Sequence, residues 1–361
     1  MTSTFIILLF SQVALLLQGL PRAVSLQSPS VEATKLGCPV DTDIAPCICT
    51  VDSATAEINM DCSAVLGESE LKRIFATDFL FPDLHKLVIQ GTEIDPVPIQ
   101  TLEADTFGKV SFNHVVISNT DLRSVASSAF ANSFPTIETM DVSNNRIPFF
   151  PFEILAQCEK LTTLDIRNNV LEHVSLLHSN SLRFFDASGN VGLQYEDEVF
   201  QTAPMLEVIN LSNTNLGHIA PLTFAYQQRL TTLDLQGNSI DYLYANALKF
   251  MSSTPTTVNL DNNRIGTVEK DAITGLAAGS ILQLKNNMLT DLPQDVWEDI
   301  FILLQGTATI ELDANLIECA CNIKWLVGNS VYMDTLGDGK ECDDMTSIHD
   351  PSLINFINQH C

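Results

Sequence analysis

Basic residues are scarce in this chain. Its 361 residues include 18 Lys and Arg against 44 Asp and Glu, which gives a formal net charge of −26 at pH 7. A surface of this sign repels phosphate backbones, so the composition argues against nucleic-acid binding. The negative charge is compatible with basic protein partners, and it favours solubility.

Motifs that carry enzymatic chemistry are also missing. The sequence contains no H-E-x-x-H, no G-x-S-x-G and no glycine-rich phosphate loop. Pairs of carboxylates are frequent only because the composition is acidic, so they carry little information about acid–base catalysis. We therefore predict no catalytic residue, no cofactor and no metal ion, and we do not expect an enzyme.

Long apolar runs are confined to the N-terminus. Residues Phe5–Leu20 are apolar, and the small residues at positions 23–25 follow them where a signal peptidase would cut. We predict a signal peptide over residues 1–25, with an uncleaved membrane anchor as the alternative. No later stretch reaches the ~20 apolar residues that a membrane span needs. We expect a secreted, extracellular protein without a membrane span, in which residues 26–37 form a flexible lead-in.

Cysteine is nearly absent from the middle of the chain. Of the nine cysteines, only Cys158 lies far from both ends. The other eight form two groups of four, at Cys38, Cys47, Cys49 and Cys62 and at Cys319, Cys321, Cys342 and Cys361. In an oxidising extracellular compartment, such groups predict disulfide-bonded modules. Spacing alone leaves the pairing within each group open, and zinc binding is the less favoured alternative.

A repeated leucine frame is abundant instead. The segment LTTLDIRNNVL at Leu161–Leu171 recurs as LTTLDLQGNSI at Leu230–Ile240, and both fit L-x-x-L-x-L-x-x-N-x-L. Ten copies follow one another at intervals of 21 to 28 residues over residues 84–317. They start at Leu84, Phe112, Ile137, Leu161, Leu182, Leu206, Leu230, Pro255, Gly279 and Thr307. This frame is typical of leucine-rich repeats, and it predicts an α/β solenoid, a horseshoe with a curved parallel β-sheet.

The frame predicts the direction of each side chain. Leu164 and Ile166 are two residues apart, so they point to the same side of an extended strand, into a shared core. Asp165 between them is expected to face solvent. Asn169 lies where the chain leaves the strand, and its buried amide can bond backbone groups that no strand neighbour satisfies. Threonine takes this position in three copies, at Thr92, Thr120 and Thr214.

Both ends of such a solenoid need covers. An open end exposes core side chains and unpaired strand edges. The two cysteine groups lie immediately before the first copy and after the last. We therefore predict an N-terminal cysteine-rich cap over residues 38–83 and a C-terminal one over residues 318–361. Trp325 is expected to pack against the last repeat.

The segments between the strands should form the outer side of the horseshoe. Phenylalanines recur there at a comparable position after the strand of each copy that has one. They predict a stacked column of rings made by Phe107, Phe130, Phe200 and Phe224. Packing is favoured over a ligand site for these rings. Three outer segments are predicted to form one or two helical turns each, at Ala126–Ala131, Ala245–Met251 and Asp295–Leu303.

The concave face of the sheet is the predicted binding surface. The position between the two strand leucines reads Val88, Val116, Asp141, Asp165, Asp186, Asn210, Asp234, Asn259, Gln283 and Glu311. The charged candidates for contacting a protein partner are Asp141, Asp165, Arg167, Asp186 and Asp234. The alternative is that aspartate is common there because it tolerates solvent at a strand centre. Phe184 and Val208 are the apolar candidates, since the frame exposes them on adjacent strands.

Three polar features each have a functional and a structural interpretation. Asn210 begins an N-glycosylation sequon on the concave face, and it either carries a glycan or is a polar strand residue. Cys158 lies three residues before a repeat start, where a buried inert thiol is favoured over an intermolecular disulfide. His85 and His114 flank equivalent strands, so they can be neighbours that titrate together, although a solvated pair is favoured.

One segment resembles a known family. The stretch G-C-P-V-D-T-D-I-A-P-C-I-C from Gly37 to Cys49, together with the signal peptide, the acidic balance and the length, resembles arthropod secreted proteins similar to the non-catalytic subunit of the deep-sea shrimp luciferase, the oplophorus-luciferin 2-monooxygenase. The resemblance covers essentially the whole mature chain. It implies pairing of first with third and second with fourth cysteines. The implied disulfides are Cys38–Cys49, Cys47–Cys62, Cys319–Cys342 and Cys321–Cys361.

The resemblance also implies a non-catalytic role. In that family the repeat subunit accompanies a small, separate chain that oxidises coelenterazine. We therefore expect a secreted protein-binding scaffold whose partner is another secreted protein, such as a small catalytic subunit that it stabilises. The alternative is an extracellular recognition protein of innate immunity or development, which binds microbial or signalling ligands on its concave face.

Overall fold

A computed structural model describes residues 37–306 and 309–361. The predicted signal peptide, the lead-in up to residue 36 and the start of the tenth copy at Thr307 lie outside these residues. The described residues all belong to one compact unit.

One sheet of twelve strands runs through the described residues. It begins with an antiparallel hairpin formed by Ile48–Val51 and Ile58–Asp61. The other ten strands are parallel, and each comes from one copy of the repeat. They are Asp83–Gln90, Ser111–Ser118, Thr139–Asp141, Thr163–Asp165, Phe184–Asp186, Val208–Asn210, Thr232–Asp234, Thr257–Asn259, Ile281–Gln283 and Thr309–Glu311. The predicted leucine-rich-repeat solenoid is thus confirmed.

The leucine frame fills the core. Leu164 and Ile166 are completely buried, and Leu164 lies between Met140 and Phe185 of the two neighbouring strands. Burying one such side chain contributes on the order of 1.5–3 kcal/mol. A single copy would expose this surface to solvent above and below, so only stacked copies form a core.

Buried asparagines tie seven of the ten repeats to the repeat before them. Asn169 donates from Nδ2 to the carbonyl oxygens of Val142 and Ile166, at 2.9 and 3.0 Å, and its Oδ1 accepts from the N–H of Ile147 at 3.0 Å. The same three-way pattern recurs at Asn145, Asn190, Asn238, Asn263, Asn287 and Asn315. The role predicted for the turn asparagine is therefore confirmed.

Two-residue strands and 3-10 turns make up much of the outer side. Among the described residues, four such strand pairs lie outside the main sheet: Thr101–Leu102 with Ser124–Val125, His173–Val174 with Gln194–Tyr195, Tyr242–Leu243 with Thr267–Val268, and Leu248–Lys249 with Ile273–Thr274. The 3-10 helices of this side are Ala131–Ser133 and Phe152–Gln157. The outer side therefore varies along the stack, while the sheet repeats.

The three predicted helical segments have different outcomes. The one at Asp295–Leu303 is confirmed by the α-helix Gln294–Leu304. Residues 126–131 form a turn that leads into a 3-10 helix. The prediction for residues 245–251 is wrong, because Leu248 and Phe250 donate their backbone N–H groups to carbonyls of the next copy, at 2.8 and 2.9 Å. Inter-repeat hydrogen bonds thus replace local helical ones there.

The phenylalanine column is interrupted. Phe107 stacks on Phe130 with ring centroids 5.0 Å apart, and Phe200 stacks on Phe224 at 5.7 Å. Between the two stacks, the strand residue Phe185 makes an edge contact with Phe200 at 6.0 Å. Phe185 also meets Phe152, the first residue of the 3-10 helix Phe152–Gln157, at 6.3 Å. The predicted single column is therefore two stacked pairs, and edge contacts through Phe185 link the second pair to Phe152.

Short helices and four disulfides build the caps. The N-terminal cap contains the helices Asp41–Ile44 and Glu68–Phe75. The C-terminal cap contains Cys321–Ile323, Lys324–Val327, Ser330–Thr335 and Pro351–His360, the first of them a 3-10 helix. The disulfides are Cys38–Cys49, Cys47–Cys62, Cys319–Cys342 and Cys321–Cys361. This is the pairing that the family resemblance implies.

Trp325 fastens the C-terminal cap to the preceding helix and repeat. Its indole N–H donates to the carbonyl oxygen of Leu292 at 3.0 Å, and its ring meets the edge of Phe301 at 5.6 Å. Phe301 belongs to the helix Gln294–Leu304 and is fully buried. The cap thereby shields apolar side chains that the end of the stack would otherwise expose.

Candidate functional site

Parallel register brings the predicted partner-binding residues onto one face of the sheet. Neighbouring strands align Asp141 with Asp165, Asp165 with Asp186, Asp186 with Asn210, and Asn210 with Asp234. Strands in a sheet lie about 4.8 Å apart, so these side chains form a row, which we call the aspartate row. Their assignment to a binding surface stays a prediction.

Two members of the aspartate row are buried rather than solvent-facing. Asp165 is 9 % exposed and Asp186 is 4 % exposed, which corrects the expectation for the central position of the frame. The reason is that each carboxylate bends back onto its own turn. Asp165 accepts from the N–H of Arg167 at 3.1 Å, and Asp186 accepts from the N–H and hydroxyl of Ser188 at 2.9 and 2.6 Å.

The same turn contact recurs along the row. The Oδ1 of Asp141 accepts from the N–H of Ser143 at 2.9 Å, and that of Asp234 accepts from Gln236 at 3.0 Å. A short carboxylate that bonds the backbone two residues on is the usual device for closing such a turn. Aspartate therefore has a structural role in these repeats, whether or not a partner contacts it.

Burial raises the pKa of two carboxylates in the aspartate row, those of Asp165 and Asp234. Desolvation raises the pKa of Asp165 to about 6, and the charges of Asp141 and Asp186 add to the increase. The Arg167 backbone bond and the Arg167 guanidinium, 3.4 Å from the Asp165 carboxylate, oppose it. Burial also raises the pKa of Asp234. The face therefore holds partly desolvated negative charge, which a cationic group of a partner would stabilise.

The apolar candidates lie beside this row. Phe184 and Val208 are register partners on adjacent strands, two residues before Asp186 and Asn210. Both are half-buried, less exposed than the frame predicted. Arg167 is exposed two residues beyond the end of the strand Thr163–Asp165. The face thus combines an apolar pair, a row of carboxylates and one arginine over repeats three to seven.

The sequon asparagine makes two hydrogen bonds within this face. Asn210 donates from Nδ2 to Oδ2 of Asp186 at 3.0 Å, and its Oδ1 accepts from the N–H of Ser212 at 3.0 Å. Nδ2 is the atom that would carry a glycan. The folded geometry therefore favours the structural interpretation of Asn210.

Cys158 is buried and free. Its side chain is 1 % exposed, and burial raises the pKa of its thiol to about 12. A protonated, inaccessible thiol is a poor nucleophile and cannot reach another chain. These observations agree with the inert thiol that the sequence favoured.

A cavity at the junction of the N-terminal cap and the first repeats was not foreseen from the sequence. His85 and His114 are neighbours, as their strand positions suggested, with ring centroids 4.7 Å apart. They help to line a cavity of about 590 Å³, whose walls also include Glu57, Phe81 and Glu138. Glu57 and Phe81 belong to the cap, outside the repeat frame, so no periodicity indicates that they face the histidines.

Neither metal-ligand clusters nor membrane-spanning helices occur in the described part of the chain. Across residues 37–306 and 309–361, no group of three or more His, Cys, Asp and Glu is arranged to hold a metal ion. Within the same residues, no helix has the length and apolar content needed to cross a membrane.

Solved leucine-rich-repeat structures resemble this fold. A chain of the TLR13–ssRNA13 complex matches 80 % of this chain and 41 % of its own length, with a TM-score of 0.60 and 18 % identity. A chain of the glycosylated Toll–Spätzle complex from Drosophila matches 77 % and 39 %, with a TM-score of 0.59 and 20 % identity. A chain of the complex of latrophilin 3, Unc5D and FLRT2 matches 76 % and 81 %, with a TM-score of 0.57 and 18 % identity. At these identities the likeness concerns the fold alone.

Sequence comparisons identify the family. A leucine-rich-repeat model matches residues 194–254, and a model of the BspA-type leucine-rich-repeat region matches residues 89–192. Chaoptin of Drosophila melanogaster is 29 % identical over 44 % of this chain and 12 % of its own length. The non-catalytic subunit of Oplophorus-luciferin 2-monooxygenase from Oplophorus gracilirostris is 30 % identical over 319 residues, covering 86 % of this chain and 85 % of that protein. The chain is a leucine-rich-repeat protein and belongs to the family of this non-catalytic subunit.

Proposed function

We propose that the protein is a secreted, non-catalytic scaffold that holds a protein partner against the sheet face around the aspartate row. The partner would be another secreted protein, such as the small catalytic chain of a coelenterazine luciferase, which the scaffold would stabilise. The likeness over 86 % of the chain to a subunit named as non-catalytic carries this proposal. Four disulfides support an oxidising, extracellular location.

The chemistry of the face supports a protein partner. Phe184 and Val208 present apolar surface that a partner could cover, and an apolar side chain that a partner desolvates fully can anchor an interface. The desolvated carboxylates of Asp165 and Asp186 next to them favour basic groups on the partner. Arg167 supplies one complementary donor for a carboxylate of that partner.

Capture from the native secretion tests the proposal. The tagged full-length chain is added to secretory fluid of the source organism, crosslinked and recovered, and its companions are identified by mass spectrometry. The double variant Phe184→Arg with Val208→Arg should recover at least about tenfold less of the companion, since it places charge at the anchor. The matched control, Met251→Arg with Ile302→Arg, changes exposed apolar residues elsewhere and should recover as much as the wild type.

Two results would contradict the proposal. One is that no companion is recovered in stoichiometric amount at any salt concentration. The other is that the face variant and the control variant recover the companion equally. Recovery of a microbial surface component or a signalling ligand through the same face would instead support a role in extracellular recognition.

A further inference from the structure

The cavity at the cap–repeat junction has chemistry that neither the fold nor the aspartate row requires. Its walls come from the cap hairpin and the segment that follows it, from the strands of repeats one and two, and from the residues before the third strand. The lining residues are Ala56, Glu57, Ile58, Phe81, Pro82, Asp83, His85, Asn113, His114 and Glu138. At about 590 Å³, the cavity is large enough to take a long side chain of a partner.

Two histidines in ring contact are among the lining residues. The rings of His85 and His114 meet edge to face, with centroids 4.7 Å apart. Nδ1 of His114 lies 2.8 Å from the hydroxyl of Thr139, and Nδ1 of His85 lies 3.5 Å from a carboxylate oxygen of Glu57. At this separation two protonated rings repel each other, so the pair is most stable with at most one charge.

Carboxylates outnumber cations around the histidines. Glu57, Asp83 and Glu138 line the cavity, and Ser111 donates to Asp83 at 2.6 Å. Lys86 is the basic group near His114, since it lies opposite that residue in the strand register. With both histidines neutral, the junction therefore carries net negative charge.

Burial keeps His114 neutral near physiological pH. Desolvation lowers the pKa of His114, and the positive charges of His85 and Lys86 lower it further, against the opposing influence of Glu138 and Glu57. His114 therefore takes up its proton at a lower pH than an unperturbed histidine. Acidification then adds positive charge to a cavity that is otherwise negative.

An apolar wall accompanies the charges. Phe81 is 49 % exposed at the cavity, next to Pro82, and Ile58 lies behind them in the hairpin. An aliphatic stem ending in a cation fits such a wall, because the stem packs on the apolar surface while the head group reaches the carboxylates. Lysine and arginine are the side chains with this shape.

We propose that the junction cavity is a pH-dependent docking pocket for a lysine or arginine side chain of the protein partner, occupied at neutral pH and released when acidification protonates His114. The inference rests on the proposed function, since it assigns one contact of that partner. His114 points to the same face of the sheet as Phe184, because both hold the position two residues before the central position of the frame. A partner lying along this face could reach the cavity with one basic side chain.

Titration with small probes tests the pocket without any partner protein. Nα-acetyl-arginine methylamide is added to the full-length chain while the backbone amide signals of Ile58, Asn113 and Glu138 are followed by NMR. At about pH 7.5 we expect a saturating shift, and at about pH 5 an apparent Kd at least about tenfold weaker. Nα-acetyl-citrulline methylamide has nearly the same shape without the charge, and it should leave these signals unshifted at the same concentration.

Variants separate a pocket from general attraction to an acidic protein. The double variant Glu57→Gln with Glu138→Gln should raise the Kd of the arginine probe at least about tenfold. The control, Glu153→Gln with Glu159→Gln, removes the same amount of charge elsewhere and should change that Kd by less than about twofold. His114→Gln should bind the arginine probe at pH 7.5 and lose most of the difference in Kd between the two pH values.

The proposal is overturned if the citrulline probe shifts the same signals equally, if the two glutamate variants weaken binding equally, or if binding is the same at both pH values. These outcomes are independent of the capture experiment. A working probe titration with no captured partner would count against the scaffold function alone. Capture through Phe184 and Val208 with no probe response would count against the pocket alone.

Discussion

Each turn asparagine satisfies backbone groups of two neighbouring repeats. Asn169 bonds carbonyl oxygens at Val142 and Ile166 and the N–H of Ile147, all of them buried. A buried backbone group without a partner destabilises a fold by about 1–3 kcal/mol. The asparagines therefore act as cross-links between copies, beyond what their polarity alone would suggest.

Replacing Asn169 with alanine should lower the free energy of unfolding by about 1–3 kcal/mol, because three buried groups lose their partner. The midpoint of urea unfolding measures the change. The exposed Asn180 provides the control, and its alanine variant should stay within about 0.5 kcal/mol of the wild type. An unchanged midpoint for the Asn169 variant would contradict the cross-linking role.

The residue before each buried asparagine has a left-handed backbone, which the frame did not predict. Asparagine or glycine holds this position in most copies, and Asn168 and Gly189 are adjacent examples with φ of 51° and 70°. A Cβ atom on Gly189 would lie 2.1 Å from Oδ1 of Asn168. Both the backbone conformation and the neighbouring repeat therefore favour glycine at this position.

Gly189→Ala should lower the free energy of unfolding by at least about 1–2 kcal/mol through the left-handed backbone alone, with the contact to Asn168 adding to it. Gly217→Ala is the matched control, because a methyl group there would have no atom within 4 Å and the φ of Gly217 is not positive. Thermal or urea unfolding of both variants gives the comparison. Equal midpoints for the two variants would show that the position tolerates a side chain.

The buried aspartate makes stability depend on pH. The pKa of Asp165 is raised from 3.8 to about 6 in the folded chain, so between these values the folded state binds more protons than the unfolded state. The free energy of unfolding therefore falls as the pH rises through this window. Above it, the charged and partly desolvated carboxylate destabilises the fold.

Asp165→Asn should remove this destabilisation, because the asparagine is uncharged and its Oδ1 can still accept a hydrogen bond from the backbone N–H of Arg167. We expect a gain of no more than about 3 kcal/mol at pH 7.5 that disappears below about pH 4. Urea midpoints at the two pH values provide the measurement. Asp61→Asn is the control, since exposed Asp61 makes the same turn contact, to Ser63 at 2.9 Å. A gain of the same size at both pH values would contradict the assignment.

The positions of the sheet strands follow the repeat frame, whereas the conformation of the outer segments depends on contacts with neighbouring copies. Each strand starts from a local pattern, so its place is predictable from one copy. The outer strand Leu248–Lys249 lies outside the frame, and its conformation depends on its pairing with Ile273–Thr274 of the next copy. By contrast, the helix Gln294–Leu304 buries Trp297, Ile300, Phe301 and Leu304 at helical spacing, which a sequence pattern can reveal.

The C-terminal cap depends on a long-range disulfide. Cys321–Cys361 closes 40 residues and anchors the last helix, Pro351–His360, to the cap. Cys321→Ser with Cys361→Ser should cost about 2–4 kcal/mol of stability. Hydrogen exchange should become faster in this helix first and stay unchanged in the strand Asp83–Gln90. A uniform increase in the exchange rate across the chain, or no change in the rate anywhere, would contradict a local role for the disulfide.

On the scale of the whole molecule, stacking converts a linear pattern into a surface. Residues such as Phe184 and Val208 are 24 positions apart in sequence but become register partners. The position of the partner-binding candidates on one face was therefore predictable once the copies were counted. Their burial was not, since it depends on how each carboxylate folds onto its turn and on the side chains of both neighbouring strands.

The amino-acid sequence by itself determined the repeat, the strand positions, the inward leucines and the turn asparagines, because each depends on spacing within one copy. Tertiary structure alone decided that Asp165 and Asp186 are desolvated and that the outer segment at Leu248 is a strand. It also brought Glu57 and Phe81 of the cap to His85 and His114. These outcomes depend on contacts between segments separated by a full repeat or by the cap boundary, where no periodic pattern connects the residues.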